Sequence, residues 1–218
     1  MADSESKTRH FWERQVDDDG KPTEVAGSDL AALRRGAGRD AGDVPEMWRF
    51  YTTLQHDGRR LPWLKAEHAA LTLYAIHQQS KHRPMHVDGI GLGTAMRALR
   101  SSGKYSEEAI DRRFTAAATA TSFGEVCLHL RGLVTQLRGV DQPVDYTRLY
   151  QDLIAWQDPT RVASVRRVWG REYFAAPKKT SASDDNTGKA SAAGKSGSRA
   201  LPRQPHLNPT DITVQESL

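Results

Sequence analysis

SFGEVCLHLRGLVTQLRG, residues 122–139, is marked as an amphipathic helix at both ends and along its length. Ser122 and Glu125 stand at the S-x-x-E spacing of a capping box, in which a hydroxyl and a carboxylate satisfy N–H groups that a helix start leaves open. Val126, Leu130, Leu133, Val134 and Leu137 follow at helical steps, the pattern of one buried stripe, and Gly139 supplies a stop. Arg131 and Arg138 are seven residues apart and therefore share a face, with the polar Thr135 between them.

The pattern extends in both directions. Toward the C-terminus, Asp145 starts YTRLYQDLIAW, which Pro159 closes, and Thr160 starts RVASVRRVWGREYF. In that last segment Val162, Val165, Trp169 and Tyr173 form an apolar stripe, which turns Arg166 and Arg167 toward its flanks and sets Arg171 on the side of Arg167. Toward the N-terminus, Ser106 caps EEAIDRRFTAAATA, a short helix GLGTAMRALRSSG ends at Gly103, and HRPMHVDGIG is punctuation. PWLKAEHAALTLYAIHQQS, residues 62–80, reads as the longest helix of the first half, with Leu64, Ala70, Leu71, Tyr74 and Ala75 inward. Asp43 with Pro45 opens VPEMWRFYTTLQ, and Ser28 caps DLAALRRGA. Alternating strand patterns are scarce, so the expected fold is all-α. It divides into an N-terminal sub-bundle over residues 1–100 and a C-terminal one over 101–175, with the punctuated segment near the seam. Residues 176–218 are Ser, Ala, Gly, Lys and Pro with little to bury, and a disordered tail is expected there.

Apolar runs such as AALTLYAI fall far short of the ~20 residues of a membrane helix. The polar start MADSESKTRH resembles no signal peptide. The single cysteine, Cys127, has no internal disulfide partner, and a cytoplasmic location is the expectation. Net charge is +4, and its placement is uneven. Residues 1–96 carry 13 Lys and Arg against 14 Asp and Glu, whereas residues 97–175 carry 12 against 9. In that basic half 11 of the 12 cations are arginine, whose planar fork matches phosphate oxygens.

Arginines recur beside the apolar stripes: Arg34 and Arg35, Arg97 and Arg100 with Lys104 after them, Arg112 and Arg113, Arg131 and Arg138, Arg166 and Arg167. Any one pair is explained by a solvated helix face or local ion pairs. Their recurrence across a bundle makes rows that could follow a nucleic-acid backbone. Asp111 or Glu108 is placed to neutralise Arg112, while Arg138 has no close acid. Trp48, Phe50, Tyr51, Trp156, Trp169 and Tyr173 sit at core spacing and read as packing, not as platforms for bases. His77, His82 and His86 lack a cysteine or paired acid at ligand spacing, and Pro84 interrupts the last two, so no metal is expected. DGIGLGTAM lacks the strand and spacing of a phosphate loop. Cys127 has no base partner at hand, and no nucleophilic constellation stands out; neither a cofactor nor an enzymatic activity is expected.

The order of the motifs AALRRGAG, GLGTAMRALRSSG, DRRFTAAATATSFGEVCLHLRGLVTQLRG, VDYTRLYQDLIAWQDP and VRRVWGREYF resembles the CasB small subunit of the type I-E CRISPR surveillance complex, Cascade, from about residue 12 to residue 174. The resemblance implies an all-helical, non-enzymatic subunit that sits as a pair in the assembly. Its implied partners are the large subunit, the crRNA-bound backbone subunits, a second copy of itself, target DNA and crRNA, and its implied role is to stabilise the R-loop. Carried over by position, the basic pattern falls on Arg34, Arg35, Arg97, Arg100, Arg131, Arg138, Arg166, Arg167 and Arg171, with Arg131, Arg138, Arg166 and Arg167 the leading candidates. Arg171 has an alternative in the last carbonyls of its own helix. Two other readings of the same residues are a free-standing helical DNA-binding regulator and an assembly adaptor that touches no nucleic acid.

Overall fold

A computed structural model describes residues 9–15 and 25–176. The expectation for residues 176–218 lies, from residue 177 onward, outside the described residues. The described chain is helical: α1 (Gly27–Arg35), α2 (Pro62–His77), α3 (Leu92–Arg100), α4 (Glu107–Thr119), α5 (Phe123–Gly139), α6 (Tyr146–Trp156) and α7 (Val162–Tyr173), with 3-10 helices at Phe11–Gln15 and Pro45–Phe50. Among the described residues the one strand-like feature is an isolated bridge between His86 and Val144. It ties the HRPMHVDGIG segment to the residues that lead into α6.

α2 is the hub. It packs against α1, α5 and α6, and every residue from Ala66 to His77 is buried. A helix enclosed on all sides cannot show a one-sided stripe, so the five residues expected inward are inward, but so are Glu67, His68, Thr72 and His77. Alanines at 66, 69, 70 and 75 let neighbours approach closely. Each of the polar members has a hydrogen-bond partner. Glu67 accepts from the backbone N–H of Thr52 (2.9 Å) and of Thr53 (3.0 Å) and from both threonine hydroxyls, at 2.6 and 2.5 Å. His10 Nδ1 lies 3.1 Å from the same carboxylate. Burial would raise the Glu67 pKa, but the hydrogen bonds from His10, Thr52 and Thr53 outweigh it and hold it below the usual value.

That bonding also corrects one element. VPEMWRFYTTLQ forms a 3-10 helix only over Pro45–Phe50, because Tyr51 turns extended and the next two N–H groups go to Glu67. Within it Trp48 is 52% exposed, contrary to its core spacing, with its indole N–H donated to the Gly42 carbonyl at 2.7 Å. Helix starts at Ser106, Ser122 and Asp145 are capped by those side chains as expected. The Glu125 carboxylate, however, accepts from Thr121, one residue before the cap. α1 begins at Gly27 without a side-chain cap at Ser28, and α7 begins after Arg161, while Thr160 bonds Asp158. α5 stops at Gly139, but the left-handed residue beyond it is Asp141, with φ of 54°. At Gly139 itself a Cβ would lie 2.9 Å from the Tyr105 hydroxyl, so that side-chain end would have to give way to any larger residue.

α3 and α7 form the tightest crossing. A Cβ on Gly93 would stand 2.3 Å from the Trp169 carbonyl oxygen, so only glycine allows the approach. Trp169 is buried, stacks on Trp156 with centroids 5.1 Å apart, and donates its indole N–H to Asp152 at 2.6 Å.

Candidate nucleic-acid interface

The nine expected arginines separate by what holds them. Arg100 is committed to carboxylates: its Nε lies 2.9 Å from Asp111 and its Nη2 2.7 Å from Glu107. Asp111 also accepts from the Tyr173 hydroxyl; that bond and the one from Arg100 hold its pKa below the usual value. Arg35 faces Glu46 at 3.8 Å, a loose exposed pair. Three more arginines donate to backbone carbonyls of distant segments: Arg97 to Ala175 (3.0 Å), Arg138 to Ile76 (3.2 Å) and Arg166 to Ala120 (2.6 Å). Arg138 also donates to the Gln79 side chain at 2.8 Å. Arg166 lies over the Trp156 ring, 5.1 Å from its centroid. These three occupy orphan carbonyls at helix ends and loops, which is structural work.

Arg34, Arg131, Arg167 and Arg171 have no ion pair or hydrogen bond from their guanidinium groups among the described residues, and the last three are exposed. Arg167 and Arg171 are one turn apart on the outer side of α7. Arg112 and Arg113 on α4 are exposed too. The neutralisation of Arg112 expected from Asp111 or Glu108 is not made: Asp111 and Glu107 go to Arg100, and Glu108 forms no ion pair among the described residues. α4 packs on α7, with Phe114 stacked on Tyr173 at 4.2 Å. Two packed helices thus carry four exposed arginines without a carboxylate partner.

Arg131 stands elsewhere, at the mouth of a cavity of about 630 Å³ between the loop after α1, α2 and α5. Arg39 and Lys65 line the same cavity. Their convergence was not legible in the sequence, where they are far apart and belong to no common motif.

One cluster that spacing did not reveal is His86, Asp88 and Asp145, whose ligand-type atoms lie within 4.8 Å of one another. Each has other work. The Tyr146 backbone N–H donates to His86 Nδ1 at 3.0 Å, so the neutral ring carries its proton on Nε2, which points to Asp88 at 3.2 Å. Asp145 accepts from the Arg148 N–H at 2.9 Å with one oxygen and from the Gly89 N–H at 2.8 Å with the other. The arrangement is that of a capped helix start, in which both ring nitrogens of His86 and both carboxylate oxygens of Asp145 already have partners. Cys127 is half-buried, and burial pushes its thiol up to about 12, which makes it a poor nucleophile.

No helix among the described residues is long and apolar enough to cross a membrane. No curated protein sequence is matched. The family model of the CRISPR-associated protein Cse2 matches residues 29–174. Among solved structures, CasB from Thermobifida fusca is 33% identical over 67% of this chain and 84% of its own, with a TM-score of 0.55. A CRISPR-associated protein of the Cse2 family from Thermus thermophilus is 25% identical over 68% and 86%, with a TM-score of 0.54. CasB of M. ruber, 23% identical over 70% and 86% with a TM-score of 0.56, shares the fold. The family model spans well over half of the sequence and the Thermobifida relative is matched over most of its length, so the chain belongs to the CRISPR-associated Cse2 family, the family of CasB.

Proposed function

We propose that this chain is the non-catalytic small subunit of a type I-E CRISPR surveillance ribonucleoprotein and that it grips the sugar-phosphate backbone of opened DNA. In that assembly its partners are the large subunit, the crRNA-bound backbone subunits and a second copy of itself. The observation that carries the strand contact is the set of exposed, acid-free arginines on the packed helices α4 and α7: Arg112, Arg113, Arg167 and Arg171. Replacing a DNA duplex by an RNA–DNA hybrid is nearly balanced in base-pair energy, so sequence-blind contacts to phosphates can tip it. Guanidinium groups that the fold does not use are free to make such contacts. Those of Arg97, Arg100, Arg138 and Arg166 would first have to leave a carbonyl or a carboxylate.

The test is retention of target DNA by the assembled complex as a function of salt. Each true phosphate contact removed by alanine should lower the slope of log K against log salt by roughly 0.7 to 1. Arg167→Ala with Arg171→Ala should therefore lower it by roughly 1.5 to 2, and adding Arg112→Ala and Arg113→Ala should lower it further. An unchanged slope in the quadruple variant would refute the assignment.

A further inference from the structure

We infer that the cavity between α2 and α5 is a docking site for an acidic amphipathic helix of a protein partner, which inserts aliphatic side chains between flanking carboxylates. The inference does not depend on the strand contacts, which involve other residues. The apolar part of the cavity's lining comes from Leu73 and Ile76 of α2 and from Phe123, Cys127 and Leu128 of α5. Leu128 is 68% exposed at the edge, on the side of α5 away from its buried stripe, where a large apolar side chain gains nothing from the core. The mouth carries Arg39, Lys65 and Arg131, all exposed and none with a carboxylate within ion-pair distance among the described residues. The acid that lines the cavity, Asp40, is neutralised by Arg60, which bonds Asp40 at 2.8 Å and Asp43 at 2.5 Å. An apolar lining inside a ring of uncompensated positive charge is complementary to an apolar helix face bordered by Asp and Glu.

A nucleic-acid strand fits the same cavity less well. A base buried here would bring polar edges that need partners. Apart from the charged side chains at the mouth, the polar side chains of the lining are already engaged: His68 uses one nitrogen on the Gly36 carbonyl (2.9 Å) and the other on the Tyr51 hydroxyl (2.6 Å), and the Thr72 hydroxyl donates to the Ala69 carbonyl (2.9 Å). Aliphatic anchors need no such partners and bury the apolar lining. The volume, about 630 Å³, holds more than one of them, as a helix presenting residues at i and i+4 requires.

The probe is a capped helical peptide of about 14 residues with two leucines one turn apart and glutamates on both sides. Its controls are the same peptide with glutamine for glutamate, the same with alanine for leucine, and a thymidine oligonucleotide of equal charge. Binding to the full chain is read by fluorescence anisotropy. Gly124 lines the cavity and a Cβ there meets nothing within 4 Å, so a side chain can start from this position, and Gly124→Trp is the variant meant to obstruct the mouth. The acidic leucine peptide is expected to bind, with affinity falling at least about tenfold in Lys65→Ala with Arg131→Ala and lost in Gly124→Trp. Arg167→Ala with Arg171→Ala should leave it unchanged. The inference is overturned by any of four results: no binding at millimolar peptide, equal binding of the glutamine control, indifference to Gly124→Trp, or displacement of the peptide by the oligonucleotide.

Discussion

His77 ends α2 in a wholly buried position, with its Nδ1 3.1 Å from the Tyr146 hydroxyl. Burial depresses its pKa to about 3; the nearby Arg138 and Lys81 add to this, and the Gln142 carbonyl and Asp141 offset it only in part. An unfolded chain takes up that proton as pH falls below about 6.5, whereas the folded chain resists until about 3. Stability contributed by the neutral ring is therefore complete at pH 7.5 and lost progressively on acidification, by about 2 kcal/mol at pH 5. Asp152, pushed up to about 6 by burial, acts in the opposite sense over the same range. The prediction is accordingly a difference: urea unfolding at the two pH values should show wild type losing about 2 kcal/mol more than His77→Gln, and parallel losses would contradict it. Glu67 makes a second residue-scale prediction. Glu67→Gln would put an amide N–H₂ against donors from Thr52 and Thr53 and should cost about 2–4 kcal/mol by the same unfolding assay. Neither role was legible in sequence. A Glu and a His inside a helical run look like solvated faces, and the threonines that satisfy the Glu lie in a separate segment.

At the scale of elements, much of what was local was readable, the starts assigned to Ser28 and Thr160 and the Glu125 half of the capping box being exceptions, and what depended on a neighbour was not. The caps at Ser106, Ser122 and Asp145 and the stripe from Val126 to Leu137 follow from chemistry within a few residues, and each stands where spacing placed it. The end of the Pro45 helix was misplaced because its continuation competes with a buried carboxylate that only the folded chain brings near. Glycines show the same division. Gly93 and Gly124 are both helical and look equivalent in sequence, yet one touches a neighbouring backbone and the other faces open space. Gly93→Ala should force α3 away from α7 and cost about 2–3 kcal/mol or more. Gly124→Ala, in the first turn of α5, should raise stability by a few tenths of a kcal/mol, up to about 0.5, through helix propensity. Thermal melting of the two variants checks both signs at once, and a loss of stability in Gly124→Ala would mean that its surroundings are occupied.

Across the whole molecule the arginines serve two purposes, and their positions in sequence do not separate them. Arg166 and Arg167 are adjacent in VRRVWGR, and both were leading candidates for a strand. The turn of the helix sends one against the core, where it bonds the Ala120 carbonyl and covers Trp156, and the other into solvent. Sequence spacing registers which face of its own helix an arginine occupies. It carries no record of which carbonyl from the end of α4, or from the end of α2, will meet it after folding. This yields a paired prediction. Arg166→Ala leaves a carbonyl without its donor and a tryptophan face uncovered, and should lower stability by about 1–3 kcal/mol while the salt slope of DNA retention by the assembled complex stays at the wild-type value. Arg167→Ala should do the reverse, changing stability by less than about 0.5 kcal/mol and lowering the slope by roughly 0.7 to 1. Urea unfolding of the isolated chain and DNA retention by the complex measure the two effects independently. If Arg166→Ala lowered the slope at unchanged stability, the division between arginines that build the fold and arginines that serve the strand would be wrong.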